Sequence, residues 1–335
     1  GSTGKDEPIR YLDFTENPMA INPPWNYVYS ANNQPDSING RFYPGYYLPE
    51  NRAKRIVALL EPKNNWDRDA VEEMLLDVTS GVNAKVVSNL AKSMEVREMT
   101  EAQISVLDKM NVWDGNSQLQ QIEPTVYHRW IYFLLKNTFE DELGTRMFQQ
   151  LLDTHFHKRL IAPMAAKGNS VWWDDVNTPD SVETKNDRVN LSFRQAFQSL
   201  EEDFGTDPKN WTWDKVHTLE HGHPIGQIKA LRSFFNVGPF PVSGTREVIN
   251  NMYFKYDDTG LYPATSGPST RRVIDFSDIE NSTSILPTGQ SGNPFSKHYE
   301  DQAEMYNQGK FRKMMMNKEE IIKTQESLLI FEPRK

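Results

Sequence analysis

The chain has 335 residues, with 37 Lys and Arg against 46 Asp and Glu for a net charge of −9. That length is roughly two domains' worth or one large α/β domain, and the acidic balance argues against a basic nucleic-acid binder. Aromatic residues at 11% and the modest net charge exclude a disordered chain despite a mean hydropathy of −0.68. No apolar run approaches the ~20 residues of a membrane span, the longest being Trp130 to Leu135, and the first thirty residues hold no signal-like apolar core. Zero cysteines exclude disulfides, thiolate zinc sites and a Cys nucleophile, and leave the redox compartment open.

Residues 1–51 read as an extended, loop-rich segment. Pro8, Pro18, Pro23, Pro24, Pro35, Pro44 and Pro49 break any helix around one strand-like run, Tyr27 to Ala31. Residues 52–205 read as a mostly helical lobe. Val71, Met74, Leu75 and Val78 form an i, i+3, i+4, i+7 stripe, with Gly81 placed as its C-terminal stop. Thr100 and Gln103 are spaced as a capping box, and Pro124 suits the first turn of a helix carrying Trp130, Phe133 and Leu134. Phe193, Phe197 and Leu200 share a face before Gly205. Residues 206–335 revert to turns and short strands, with candidate strands at Val248–Phe254, Arg272–Phe276, Thr283–Pro287 and Leu328–Phe331. Helices are expected at Glu300–Tyr306 and Lys318–Gln325. Strands from both ends with helices between predict an α+β fold, not repeated βαβ units.

Several clusters invite chemistry. His217, His221 and His223 crowd one stretch, and His-x3-His spacing on a helix can place two imidazoles on a zinc ion. Gly222 and Pro224 would break that helix and no HExxH pattern is present, which favours structural histidines and no metal site. The acids of Asp203 to Trp213 lack the alternate-oxygen spacing of a calcium loop, so Trp211 and Trp213 read as core anchors. A Ser/His/Asp set can be drawn around Ser291, Ser296, His298 and Asp301. Triads are assembled from distant segments, however, and no G-x-S-x-G elbow occurs, so a turn leading into a helix cap is the better reading. The turn Ser30-Ala31-Asn32-Asn33-Gln34-Pro35 exposes amides of the kind that can be aimed at a developing oxyanion, though Asn-rich turns are ordinary.

Taken in order, these segments resemble the C-terminal part of the β chain of the penicillin acylase family of N-terminal-nucleophile (Ntn) hydrolases. The resemblance rests on Asn22-Pro23 leading to Ala31-Asn32-Asn33-Gln34-Pro35, on Arg52-Ala-Lys-Arg-Ile56, and on Trp211-Thr-Trp213 with His217 and His223-Pro224. It continues through Gly267-Pro-Ser-Thr-Arg271 before Ile274-Asp275, Leu286-Pro-Thr-Gly-Gln-Ser-Gly-Asn293 and His298-Tyr-Glu-Asp-Gln302.

The resemblance implies part of a four-layer αββα sandwich with a large helical insert. It also implies a β-chain N-terminal serine that attacks an amide carbonyl, with its own α-amine as base, to give an acyl-enzyme. Asn32 aligns with the asparagine whose side-chain N–H stabilises the oxyanion, and Arg52 with the arginine that supports the nucleophile, Arg55 being the neighbouring alternative. Two departures follow. The chain begins Gly1-Ser2-Thr3-Gly4 and its opening resembles an interior linker, so neither Ser2 nor Thr3 is taken as the nucleophile and the chain by itself is expected to be inactive. One carboxylate of the family's structural calcium falls where this chain has Arg41, and Asp36 is out of register to replace it, so no cofactor is expected. Expected partners are the N-terminal part of the β chain and the α chain of the same precursor, a small acyl-amide substrate, and self-association; nucleic acid and membrane are not expected. The family implies a bacterial periplasmic or secreted location. The competing reading is a non-catalytic secreted module that binds through Trp25, Tyr27, Tyr46, Tyr47, Trp172 and Trp173.

Overall fold

A computed structural model describes residues 2–5, 7, 10–38 and 40–333; Gly1 and Pro8, both used above, lie outside the described residues. The chain separates into two compact units, Gly1–Asn64 and Asn65–Lys335.

The first unit holds little regular structure because its prolines leave few backbone N–H groups in helical register. Asp13 and Glu16 form a capping box around a short 3-10 turn, and one α-helix, α1 (Asn51–Leu60), closes the unit. Among its described residues the buried apolar side chains are Ala31 and Ala53. The strand expected at Tyr27–Ala31 does not form. A strand needs a ladder partner, and the bridge described in this unit joins Ile38 to Arg41 instead.

The second unit carries the core. Its N-terminal half is helical: α2 (Arg68–Leu75), α3 (Gly81–Ala91), α4 (Glu101–Val112), α5 (Glu123–Asp153), α6 (Phe156–Ala166) and α7 (Lys185–Phe204). The capping box at Thr100 forms at the start of α4, Pro124 sits in the first turn of α5, and Gly205 ends α7 with φ 83°. Phe193, Phe197 and Leu200 are buried together, as their spacing predicts. Gly81 does not stop α2. Leu75 ends that helix, and Ser80 caps α3 by accepting from the Asn83 N–H, so Gly81 opens a helix. Gly144, with φ 69°, breaks the run of α5.

The C-terminal half forms β1 (Thr218–His221), a short α8 (Arg232–Phe235), β2 (Val237–Pro241), β3 (Arg271–Val273), β4 (Thr283–Ile285), α9 (Ala303–Asn307), β5 (Arg312–Lys313) and α10 (Lys318–Thr324). β1 pairs antiparallel with β2, and β3, β4 and β5 form a second antiparallel sheet in that order. The fold is α+β. Val248–Phe254 is not a strand. Its amides bond to scattered carbonyls, Asn250 N–H to Asp77 and Met252 N–H to Thr245, while Val248, Met252 and Phe254 enter the core. Leu328–Phe331 also forms no strand and stays exposed.

Trp130, Trp211 and Trp213 are fully buried. The Trp213 indole donates to Gly244 O at 2.9 Å and stacks on His217 at 4.7 Å between ring centres and on His128 at 5.3 Å. His128 bonds Tyr256 Oη and Thr245 Oγ1, both at 2.7 Å. Arg129 reaches Asp203 at 2.8 Å and Gly260 O at 3.0 Å. A Cβ at residue 260 would lie 1.9 Å from the Arg129 guanidinium, and φ there is +65°, so only glycine fits. Truncating a buried aromatic such as Trp213 to Ala is expected to cost about 3–5 kcal/mol.

The buried imidazoles make this unit acid-sensitive. Burial, then the Arg246 charge, pushes His157 down to about 2; burial pushes His217 down to about 4, and His128 is also held well below its ordinary value. The unfolded chain therefore takes up protons first. Stability is complete above pH ~6.5 and falls as pH drops below it, by up to about 1.4 kcal/mol per pH unit for each imidazole. Denaturant midpoints measured from pH 7.5 to 4.5 should decline from near pH 6.5, and a flat profile would contradict neutral buried histidines.

Candidate functional site

Asn32 lies in the first unit on an exposed turn, in the left-handed region with φ 59°. Asparagine tolerates that region better than most residues because its short polar side chain can bond locally. The turn is pinned from several sides. Leu48 N–H donates to Asn32 O at 2.8 Å, and Ala31 N–H donates to Asn33 Oδ1 at 3.3 Å.

Arg52, in the first turn of α1, closes the arrangement. Its Nη2 donates to Ala31 O at 2.9 Å and to Asn32 Oδ1 at 2.7 Å. A guanidinium has donors only, so the amide atom facing it must be the oxygen. The Asn32 Nδ2 is thereby turned away from Arg52 as a donor pair. The two residues singled out by the family resemblance are in contact, and the contact fixes which end of the carboxamide faces the guanidinium. The sequence gives no sign of the bonds to Ala31 O and from Leu48 N–H, because backbone partners leave no mark on side-chain identity.

Other candidates fall elsewhere. Arg41 pairs with Glu16 at 3.2 Å, and Arg10 binds the same carboxylate through both oxygens at 2.9 and 3.0 Å. The Arg10 hydrogen bonds hold Glu16 down at about 2. His217 is not on a helix with His221: it stacks on Trp213 and donates from Nδ1 to Tyr262 O, while His221 ends β1 and His223 caps a 3-10 turn at Pro224–Gln227. No group of three or more His, Asp or Glu that could hold a metal ion occurs among the described residues. Ser296 Oγ accepts from His298 N–H and Ser291 Oγ from Asn293 N–H, so both hydroxyls serve the turn, while His298 pairs with Asp301 at 2.8 Å. Of the proposed aromatic binding face, Trp173 is only 2% exposed, whereas Trp25, Tyr46 and Trp172 are exposed, Trp172 leaning on Phe139.

The fold is that of the penicillin acylases. A thermostable penicillin G acylase from Alcaligenes faecalis superposes with a TM-score of 0.56 at 15% identity, over 97% of this chain and 60% of that one. The chain belongs to the penicillin amidase family of amidohydrolases, whose sequence profile matches residues 1–323. Curated relatives include an acyl-homoserine lactone acylase of Pseudomonas aeruginosa, 25% identical over 90% of this chain and 39% of its own length. One from Pseudomonas syringae pv. syringae is 26% identical over 93% and 40%. A penicillin acylase 2 proenzyme of a Pseudomonas species is 24% identical over 90% and 38%. The chain thus spans about two fifths of the length of these curated relatives. No helix among the described residues is long and apolar enough to cross a membrane.

The geometry makes Arg52 the clamp of the turn. In Arg52→Met the Leu48 amide, bonded to Asn32 O, should exchange its hydrogen faster by about tenfold, the equivalent of one lost hydrogen bond. Unchanged exchange would remove Arg52 from that role.

Proposed function

We propose that this chain is the C-terminal part of the β chain of an Ntn amidohydrolase that cleaves an acyl group from an amine-bearing product. The observation that carries this reading is the exposed Asn32 carboxamide, whose oxygen is the end held by Arg52. In the assembled enzyme a serine on a companion segment of the same precursor attacks the amide carbonyl through its Oγ, and its α-amine takes the proton. The carbonyl oxygen becomes an oxyanion, which Asn32 Nδ2 stabilises by a hydrogen bond that strengthens as charge develops. Collapse expels the amine, and water then releases the acid from the acyl-enzyme. Arg52 acts through Asn32 as a positioning residue and adds positive charge near the oxyanion.

N-acyl homoserine lactones are the favoured substrate class, because several similar relatives carry that activity in their names; penicillins are the second. In this reading the enzyme works in the periplasm and this chain alone is inactive, since the nucleophile lies outside it.

The test is hydrolysis of an N-acyl homoserine lactone and of a phenylacetyl amide by the complete enzyme, with N-terminal sequencing of its chains. A companion chain starting with Ser should be found. Asn32→Gly keeps the left-handed backbone and should lower kcat ~10²–10³-fold with KM little changed, as does Asn32→Ala. Full activity of either variant would refute the oxyanion role, and hydrolysis by this chain alone would refute the division of the site between segments.

A further inference from the structure

The third histidine of the cluster, His223, lines a cleft of about 600 Å³ beside β1 and β2 of the second unit, together with Glu220, Lys229, Arg232 and Asn236. The cleft has a built floor. Asn236 Oδ1 accepts from His223 N–H at 3.0 Å, and the same carboxamide bonds Glu220. A Cβ at Gly226 would lie 1.8 Å from Asn236 Oδ1, so glycine alone lets the loop close on that carboxamide.

The tautomer of His223 is fixed. Its Nδ1 accepts from Ile225 N–H at 3.2 Å and its ring stacks on Phe235 at 5.0 Å between centres, 26° from parallel. The neutral ring therefore carries its proton on Nε2, across the ring from the bonded edge, where it is a donor. Charge points the same way. Glu220 is already matched, receiving Arg232 Nε at 3.0 Å and Nη2 at 2.5 Å. That leaves Arg232 Nη1 and the Lys229 ammonium as uncommitted donors lining the cleft, so its local balance is positive in a chain whose net charge is −9.

We propose that this cleft binds a small oxyanion, a carboxylate or phosphate group, received by His223 Nε2–H and by the Lys229 and Arg232 cations. Charge-assisted hydrogen bonds converging on one oxyanion are the strong kind, and a pre-organised ring and loop lower the ordering cost of forming them. The cleft uses no residue of the Asn32 turn, and the proposal does not depend on the proposed amide hydrolysis.

The test is an NMR titration of the full chain, following the His223 Cε1–H resonance during addition of sodium phosphate and, separately, sodium acetate at constant ionic strength, with chloride as reference. A saturable shift with either anion is expected, weakened about tenfold by Lys229→Gln, the loss of one charge-assisted hydrogen bond. Lys229 is exposed, so that variant keeps the fold. Saturation by phosphate alone identifies a phosphate ligand, and by acetate alone a carboxylate. A shift that never saturates, that chloride reproduces, or that Lys229→Gln leaves unchanged overturns the proposal.

Discussion

The stacking of Trp213 on His128, His217 and Tyr262, with its indole N–H given to Gly244, forces sequence-distant segments of the second unit to meet at one buried point. Helix α5 supplies His128, the 211–217 segment supplies Trp213 and His217, and the irregular 244–262 stretch supplies the rest. A tryptophan with a satisfied N–H buries a large apolar area without leaving a polar atom behind. The neighbouring imidazoles make the junction polar as well as aromatic. Each must be neutral and hydrogen-bonded to stay there, and His128 meets that demand through both ring nitrogens. The unit gains one specific arrangement of its segments and accepts a narrower pH range for it.

What could be read from the sequence follows the nature of the forces. Helix starts rest on local chemistry, so the capping box at Thr100 and the proline at the start of α5 are where the spacing puts them. Gly81 shows the limit of that logic. A glycine reads as a stop or a start depending on whether its neighbour can cap, and Ser80 decided for a start. Strands were less legible, because a strand exists only if another segment offers it a ladder. Tyr27–Ala31, Val248–Phe254 and Leu328–Phe331 have suitable residues and no ladder, while β1, β2 and β5 form from sequence that carries no strand pattern. The contact of Arg52 with Asn32 spans 20 residues, and no local rule predicts it. The family resemblance singled out both residues; the hydrogen bond that relates them is visible only in the folded chain.

Four arginines in the two units act as organisers against oxygen. Arg52 orients an amide, Arg129 ties α5 to α7 through Asp203 and to the Gly260 carbonyl, and Arg10 and Arg41 share one carboxylate at Glu16. The fork geometry of the guanidinium lets one side chain hold two acceptors in fixed relation, which an ammonium does less well. The surface pairs at Glu16 contribute little to stability by that route, since solvent screens them. Arg129 is 3% exposed, so its bonds are made largely out of water and matter more.

The left-handed backbone of Asn32 restricts the residues that can occupy this position on two independent grounds. The conformation favours Gly, Asn and Asp, and disfavours β-branched and bulky side chains most strongly. Arg52 then asks for an acceptor oxygen, which Gly lacks. Asp would satisfy both conditions and bind the guanidinium more tightly than Asn, yet an ionised carboxylate has no hydrogen to give. Among the three residues the backbone favours, asparagine alone is compatible with the fold, the arginine and a donor at once. Any lineage that keeps Arg52 and needs that donor has a one-letter alphabet here, whereas a lineage that drifts to Asp keeps a well-folded turn and loses the donor.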